Sequence, residues 1–532
     1  MSKSPLPQAA PSAPLQLTLY WQIIAIGLAL GLGGRVVTHV VGPDYAYQPD
    51  HLDNMAWSSY AFKYGVWNIY DQITISEAIR RAEAGAPAPS RPQVEPMFQR
   101  VIALRSGQPV PSIKFAPHAC NYPPLSAYIF WFQGMLLHTL DRDAPVVDLD
   151  QGLPSLRHVR AAAGVPRTVE RHVIGTQLSR FIDGLPGFLF DILLAIGVLK
   201  LVGWLWGAAG TLASAVGFAV TFAAPPIILD SAFWTQADSW ITAMLLWSLL
   251  FLLRERYVLA GVVYGAALMT KPQAILLAPV LVYAFSSLAL APWGSWARAA
   301  RNLAAFGGVA LLVAAFIAAP FMVMDARDPL NDHGAWRWFQ RSYAGTIGAD
   351  AYPRTTLNAF NLWWLDYLSH GVPTSGGQQQ RFLKSDEQLL GVAKDTLGKA
   401  LLGISIVLTW ALCARKWRWG RPSWVACAFL VFLAAFALPT RVHERYIYYC
   451  IPFAIALAMR WWIWIPPMLA LLLVGTVEMF SFLWLRNMLD PGVRGGSGAL
   501  AVLTLLTLVY SLAVLIPRDK DATQFGKVAK QP

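Results

Sequence analysis

Apolar runs, each approaching or exceeding the length needed to cross a bilayer, alternate along this chain with polar segments of very unequal length. A window of about 19 residues marks such runs at 16–41, 184–205, 207–228, 238–253, 257–270, 273–291, 302–323, 396–414, 423–438, 446–460, 462–484 and 498–517. Hydrocarbon offers backbone groups no hydrogen-bonding partner, so each run must close its own ladder as a helix. Only 14% of the 532 residues are charged, against roughly 25% in a soluble domain, which excludes an ordinary water-soluble enzyme. The expected fold class is an all-α polytopic membrane protein with about 12 transmembrane helices, in a range of about 11–13.

The formal net charge of +12 would suggest nucleic acid in a soluble protein; in a membrane protein it reflects Lys and Arg retained in cytoplasmic loops, and no nucleic-acid partner is expected. Arg254, Arg256, Arg298, Arg301, Arg415 to Arg421, Arg460 and the tail bearing Arg518, Lys520, Lys527 and Lys530 fall on one side if the N-terminus lies there too. The expected order is then a cytoplasmic tail 1–15, an uncleaved first helix 16–41, an extracytoplasmic segment 42–183, helices two to seven over 184–323, a second extracytoplasmic segment 324–395, helices eight to twelve over 396–517, and a cytoplasmic tail 518–532. The setting is a multi-pass protein of the plasma (inner) membrane. The aromatic run Tyr122 to Leu140 holds Gln133 and His138 and reads as a helix lying at the interface, since a crossing there would turn the Arg clusters outward. Cys120, Cys413, Cys427 and Cys450 are widely spaced and form no CxxC pair, so neither a metal cluster nor a disulfide framework is implied.

Five constellations carry candidate chemistry. Asp50 and Asp53, three residues apart just after the first run, share a face at the start of a helix that also holds Trp57. A carboxylate beside rings at a membrane surface suits a general base acting on a sugar hydroxyl, while a helix cap is the plainer role, above all for Asp53. Asn121-Tyr122-Pro123-Pro124-Leu125 forms an extended entry into the aromatic helix, and Asn121 and Tyr122 are candidates to line a polar pocket. Between the third and fourth runs, Trp234, Gln236 and Asp238 combine a flat apolar face with hydroxyl-reading groups, the mix a sugar ring needs. Thr270-Lys271-Pro272-Gln273 places a cation at a break in an apolar stretch, a partner for an anionic lipid headgroup or a snorkelling lysine. Arg441-Val442-His443-Glu444-Arg445-Tyr446 packs guanidinium and imidazole groups at a membrane face, where they suit a phosphate. Arg337 and Arg341, spaced i to i+4 in the second polar segment, are either a further phosphate clamp or part of an interfacial helix.

In this order and on this topology, the five segments resemble the GT-C superfamily of polytopic glycosyltransferases. The resemblance is carried by an acid seven positions before a Trp (Asp50, Trp57), a "YPPL" segment (Tyr122 to Leu125), a "WGQxDS"-like junction (Trp234 to Ser239), "TKPQ" (Thr270 to Gln273) and "HERY" (His443 to Tyr446). In detail they are most similar to dolichyl-phosphate-glucose-dependent glucosyltransferases and to bacterial mannosyltransferases with this motif set. The resemblance implies a polyprenyl-phosphate sugar donor, Asp50 as general base and His443 near the lipid phosphate. Two departures stand out: Thr235 replaces the usual Gly, narrowing the junction, and the acidic motif is Asp-x-x-Asp, with Asp53 a candidate second acid. Residues 142–183 match no part of the pattern and read as an insertion over the acceptor site.

The expected reaction is an inverting transfer of a hexose, mannose or glucose, to a glycan, lipid or protein acceptor on the extracytoplasmic face. Asp50 takes the hydroxyl proton and Lys271, His443 and Arg445, with Arg337 and Arg341, hold the leaving phosphate. Asn121, Tyr122, Trp234, Gln236, Asp238, Gln273, Glu444 and Tyr446 line the sugar and acceptor sites. No cofactor is expected, with a divalent metal left open. The alternatives are a transporter or flippase of lipid-linked saccharides, whose path Lys271 and Asp238 would mark, and a non-catalytic subunit of an envelope-polymer assembly.

Overall fold

The computed structural model describes residues 13–41, 48–70, 120–140, 177–208, 211–292, 294–327, 334–345, 354–370, 384–484 and 491–516. Most of the expected insertion 142–183, most of the expected tail 1–15 and all of the expected tail 518–532 lie outside them. The helices in chain order are α1 (Ala13–Val41), α2 (Gln48–Tyr64), α3 (Pro124–Leu140), α4 (Gln177–Trp206) and α5 (Leu212–Ala223); then α7 (Asp238–Leu253), α8 (Tyr257–Leu268), α9 (Ala278–Leu290) and α10 (Trp296–Arg327), with α6 (Pro225–Ile228) a single turn between α5 and α7. They continue with α11 (Leu362–His370), α12 (Lys394–Trp417), α13 (Pro422–Ala437), α14 (Ile451–Arg460), α15 (Ile465–Trp484) and α16 (Pro491–Val514). A small hairpin of β1 (Gln388–Leu389) and β2 (Val392–Ala393) precedes α12.

The protein is therefore an all-α polytopic membrane protein. Among the described residues seven helices are long and apolar enough to cross a bilayer, or eight when the bent pair Leu212–Ala223 and Pro225–Phe233 counts as one span. The other expected runs fall on shorter apolar helices, among them α7, α8 and α13. Among the shorter helices α13 is buried along almost its whole length, whereas the long helices α1 and α10 present broad apolar faces outward.

Prolines create the breaks that shape the site. Ala224 is forced extended before Pro225, and the chain turns by 45° between α5 and the next segment. A π-turn over Leu229–Phe233 follows, and Thr235 then adopts a left-handed conformation at φ +58°. At the second break Lys271 is extended before Pro272, and the chain resumes as a 3-10 turn, Pro272–Leu277, leading into α9. The carbonyls freed there are capped by the entry to α3: Leu125 N donates to Met269 O and Ser126 Oγ donates to Thr270 O, both at 2.7 Å. The two proline segments of the sequence thus dock on each other.

α3 packs along α2 so closely that a Cβ on Gly134 would fall 2.0 Å from Ser58 O, which requires glycine there. Trp57, Tyr70, Phe130, Trp240, Phe321 and Trp338 form the apolar cluster beneath this pair, separate from the larger core built mainly from α4, α7, α13 and α14.

Candidate active site

Asp50 stands in the first turn of α2. Trp234 Nε1 donates to its Oδ2 at 3.0 Å, and Gln236 Nε2 donates to the same oxygen at 2.7 Å. The left-handed residue between these two donors explains how both face one carboxylate: Thr235 reverses the chain, and Asn54 Nδ2, one turn along α2 from Asp50, donates to Thr235 O at 3.1 Å. Thr235 therefore occupies a conformation that glycine adopts without steric cost, at the position where the resembling family carries Gly.

Beyond Trp234 lies a second carboxylate in a different setting. Asp238 is wholly buried, and its Oδ1 accepts from Lys271 Nζ at 2.6 Å and from the Tyr449 hydroxyl. Arg445 Nε lies 3.4 Å from Asp238 Oδ2, and its guanidinium also lies 3.4 Å from Glu444 Oε1. The same guanidinium sits 5.2 Å from the Trp234 ring centre and 5.9 Å from that of Tyr446. Lys271 Nζ is 6.0 Å from the Tyr122 ring centre and 5.7 Å from that of Tyr446, and Gln273 Nε2 donates to the Tyr446 hydroxyl at 2.6 Å. The His443 and Tyr446 rings meet edge to face at 5.3 Å.

Burial and the neighbouring Arg445, Lys271 and Arg354 hold His443 well below the ordinary histidine range, so the ring is neutral. Burial raises Glu444 to about 7, against the lowering effect of Arg445. The segment carrying both residues is held in place by backbone pairing: Leu357 N donates to Val442 O at 3.0 Å, and Arg441 N to Thr355 O at 3.1 Å.

The structure thus brings Asp50, Trp234, Gln236, Asp238, Lys271, Gln273, Tyr122, His443, Glu444, Arg445 and Tyr446 into one neighbourhood. Other expected residues stand apart. Asp53 is buried near Cys120, whose thiol is pushed up to about 12 chiefly by burial, with Asp53 adding to the rise. Arg337 is buried at the end of α10, with Nε 3.9 Å from Asp325 Oδ1, and Arg341 follows it in a π-turn over Gln340–Ala344. Asn121 is half-buried just before the α3 entry. Among the described residues no group of three or more His, Cys, Asp or Glu side chains is arranged to hold a metal ion.

Several groups that shape this site carry no motif. Tyr448 donates to Asp191 Oδ1 at 3.0 Å while its neighbour Tyr449 binds Asp238, so two successive tyrosines reach two buried acids. Arg35 of α1 pairs with Asp191, and Ser231 Oγ donates to the same carboxylate at 2.5 Å. A charge within each of two apolar runs was the available signal for the Arg35–Asp191 pair; for Tyr449 the sequence offered none.

Residues 186–331 match the family described as ALG6, ALG8 glycosyltransferase. The chain is a membrane glycosyltransferase, similar over this segment to the GT-C type. The matched segment holds Trp234, Gln236, Asp238, Lys271 and Gln273, while Asp50, Tyr122 and His443 reach the same place from outside it. This match favours an enzyme over a transporter. No curated protein matches the chain.

Proposed function

We propose that this glycosyltransferase moves a hexose, mannose or glucose, from a polyprenyl-phosphate donor to an acceptor hydroxyl at the extracytoplasmic face of the plasma membrane, with inversion. The acceptor is a glycan, lipid or protein. One observation carries this reading: Trp234 donates its indole N–H to Asp50 and offers its ring face to Arg445. A proton acceptor at the edge and a cationic site over the face of a single flat ring suit a sugar that joins a hydroxyl to a phosphate.

In this reading Asp50 takes the proton of the acceptor hydroxyl as its oxygen attacks the anomeric carbon, and polyprenyl phosphate leaves. Lys271 and Arg445 turn from Asp238 to the departing phosphate, and neutral His443 donates a hydrogen bond to it. A phosphate leaves as a stable anion, so no second carboxylate is needed as general acid; this role is not assigned to Asp53. Arg337, buried beside Asp325, and Arg341 are given no role at the phosphate in this reading.

The test is transfer from polyprenyl-phosphate mannose and polyprenyl-phosphate glucose by membranes containing wild type or Asp50→Asn. The expected loss is on the order of 10²- to 10⁴-fold, the contribution of a positioned base. Full activity in Asp50→Asn would eliminate the base assignment, and activity with neither donor would eliminate the donor class.

A further inference from the structure

His51 follows Asp50 in the first turn of α2 and is buried against the start of α4. Its Nδ1 lies 2.6 Å from Asp183 Oδ2. Gln133 of α3 engages the same acid, its Nε2 donating to Asp183 O at 2.8 Å and lying 3.4 Å from Oδ1. A carboxylate accepting at Nδ1 fixes a proton there and leaves Nε2 as the other ring nitrogen. That nitrogen is buried and has no hydrogen-bond partner among the described residues. Met55, Leu137 and Ile182 close around the three helices as an apolar seal.

The dyad adjoins the turn that holds Asp50. A Cβ built on Gly184, next to Asp183, would stand 3.8 Å from Thr235 Cγ2, and Asn54 binds the Thr235 carbonyl. The first turn of α2, the start of α4 and the Trp234–Gln236 turn are therefore one packed unit with Asp50 between them. Burying an imidazole and a carboxylate adds little to stability over an apolar pair of the same size. It does add direction: hydrogen bonds fix rotation about the α2 axis, which apolar contact alone leaves loose.

We infer that His51, oriented by Asp183, is a positioning residue for Asp50, setting the rotation of the first turn of α2 and so the place where the carboxylate meets the acceptor hydroxyl. The inference rests on the base assignment above. No proton of the reaction passes through the imidazole.

Transfer kinetics of purified His51→Ala, His51→Asn, Asp183→Asn, Asp50→Asn and the His51→Ala/Asp50→Asn double variant test it, each protein first checked for monodisperse elution. His51→Ala is expected to lower kcat roughly 10- to 100-fold, as a displaced catalytic group does, with the donor KM unchanged. His51→Asn, whose amide places a donor where Nδ1 stands, is expected to recover most of that loss. The double variant is expected to be no slower than Asp50→Asn alone. Wild-type kcat in His51→Ala, a His51→Asn as slow as His51→Ala, or a double variant slower than Asp50→Asn would overturn the positioning role. If His51→Ala fails to fold, Asp183→Asn carries the test through the same lowered kcat at constant KM, and its wild-type kcat would overturn the inference. Full activity in Asp50→Asn strikes the base assignment itself; an inactive Asp50→Asn beside a fully active His51→Ala strikes the positioning role alone.

Discussion

Asp50 and Asp238 are held in different ways. Asp50 accepts hydrogen bonds from the neutral indole of Trp234 and amide of Gln236, with the Arg445 charge acting on it through space. Asp238 is bound by cations, Lys271 and Arg445, with the Tyr449 hydroxyl completing its surroundings. Neutral donors lose no ionic partner when the carboxylate they bind gains a proton. An acid paired with buried cations cannot be neutralised or displaced unless another anion takes its place. The first arrangement suits proton acceptance, the second suits exchange with a phosphate.

The largest way to break this contrast is to remove Lys271. Lys271→Ala leaves Asp238 buried with Arg445 as its remaining cation, and the expected cost is about 3–5 kcal/mol, read as a lowered melting temperature of the detergent-solubilised protein. A loss below about 1 kcal/mol, the size of an ordinary hydrogen bond, would show that the pair is not the structural keystone its burial suggests.

Next in size is the pH dependence of Glu444. Its carboxyl titrates at about 7 in the folded protein against an ordinary value of 4.5, burial being the main cause. A raised pKa means the folded state holds the proton more tightly, so the associated stability is complete below 4.5 and is lost as pH rises through about 7. The melting temperature is expected to fall between pH 6 and 8, on either side of that value, and Glu444→Gln is expected to flatten the fall. The same protonation leaves the cationic side more positive, so donor KM should be lower below pH 7 than above it. A Glu444→Gln profile identical to wild type would assign the dependence to another group.

A smaller effect sharpens the Asp50 side. Gln236→Ala removes one of two neutral donors and is expected to cost about 1 kcal/mol, with kcat falling and donor KM unchanged; an equal rise in KM would place Gln236 on the donor instead. The smallest is at the turn itself. Thr235→Gly removes a β-branched residue from a left-handed conformation and is expected to raise stability by about 1 kcal/mol while keeping activity. A marked loss of activity would mean that the Thr235 side chain, whose hydroxyl bonds Trp234 O at 2.7 Å, guides the substrate.

The helical class was open to the sequence because apolar runs in a bilayer have one solution for their backbone, and Pro272 and the Pro123-Pro124 pair marked breaks through local sterics, whereas the continuous run 207–228 gave no expectation of the bend at Pro225. The candidate acid, the Trp-Thr-Gln junction and the Lys-Pro break were all visible as polar groups in costly places. Arg337 shows the limit: its i to i+4 spacing with Arg341 is a local pattern, and the structure buries it beside Asp325 instead of bringing it to Lys271.

Residue type and spacing by themselves determined that the apolar runs are helices, where the Lys271-Pro272 break falls and which side chains are too polar to be there by default. Only the tertiary structure decided that Asp50 meets residues 184 and 186 positions away in the chain, that the Leu125 amide caps the broken helix at Met269, and that Asp238 rather than a solvent ion neutralises Lys271. The reason is physical. Periodicity and proline act over a few residues, whereas these contacts depend on how α2, α3 and α4 close on one another, and buried polar groups take whichever partner that packing brings within reach.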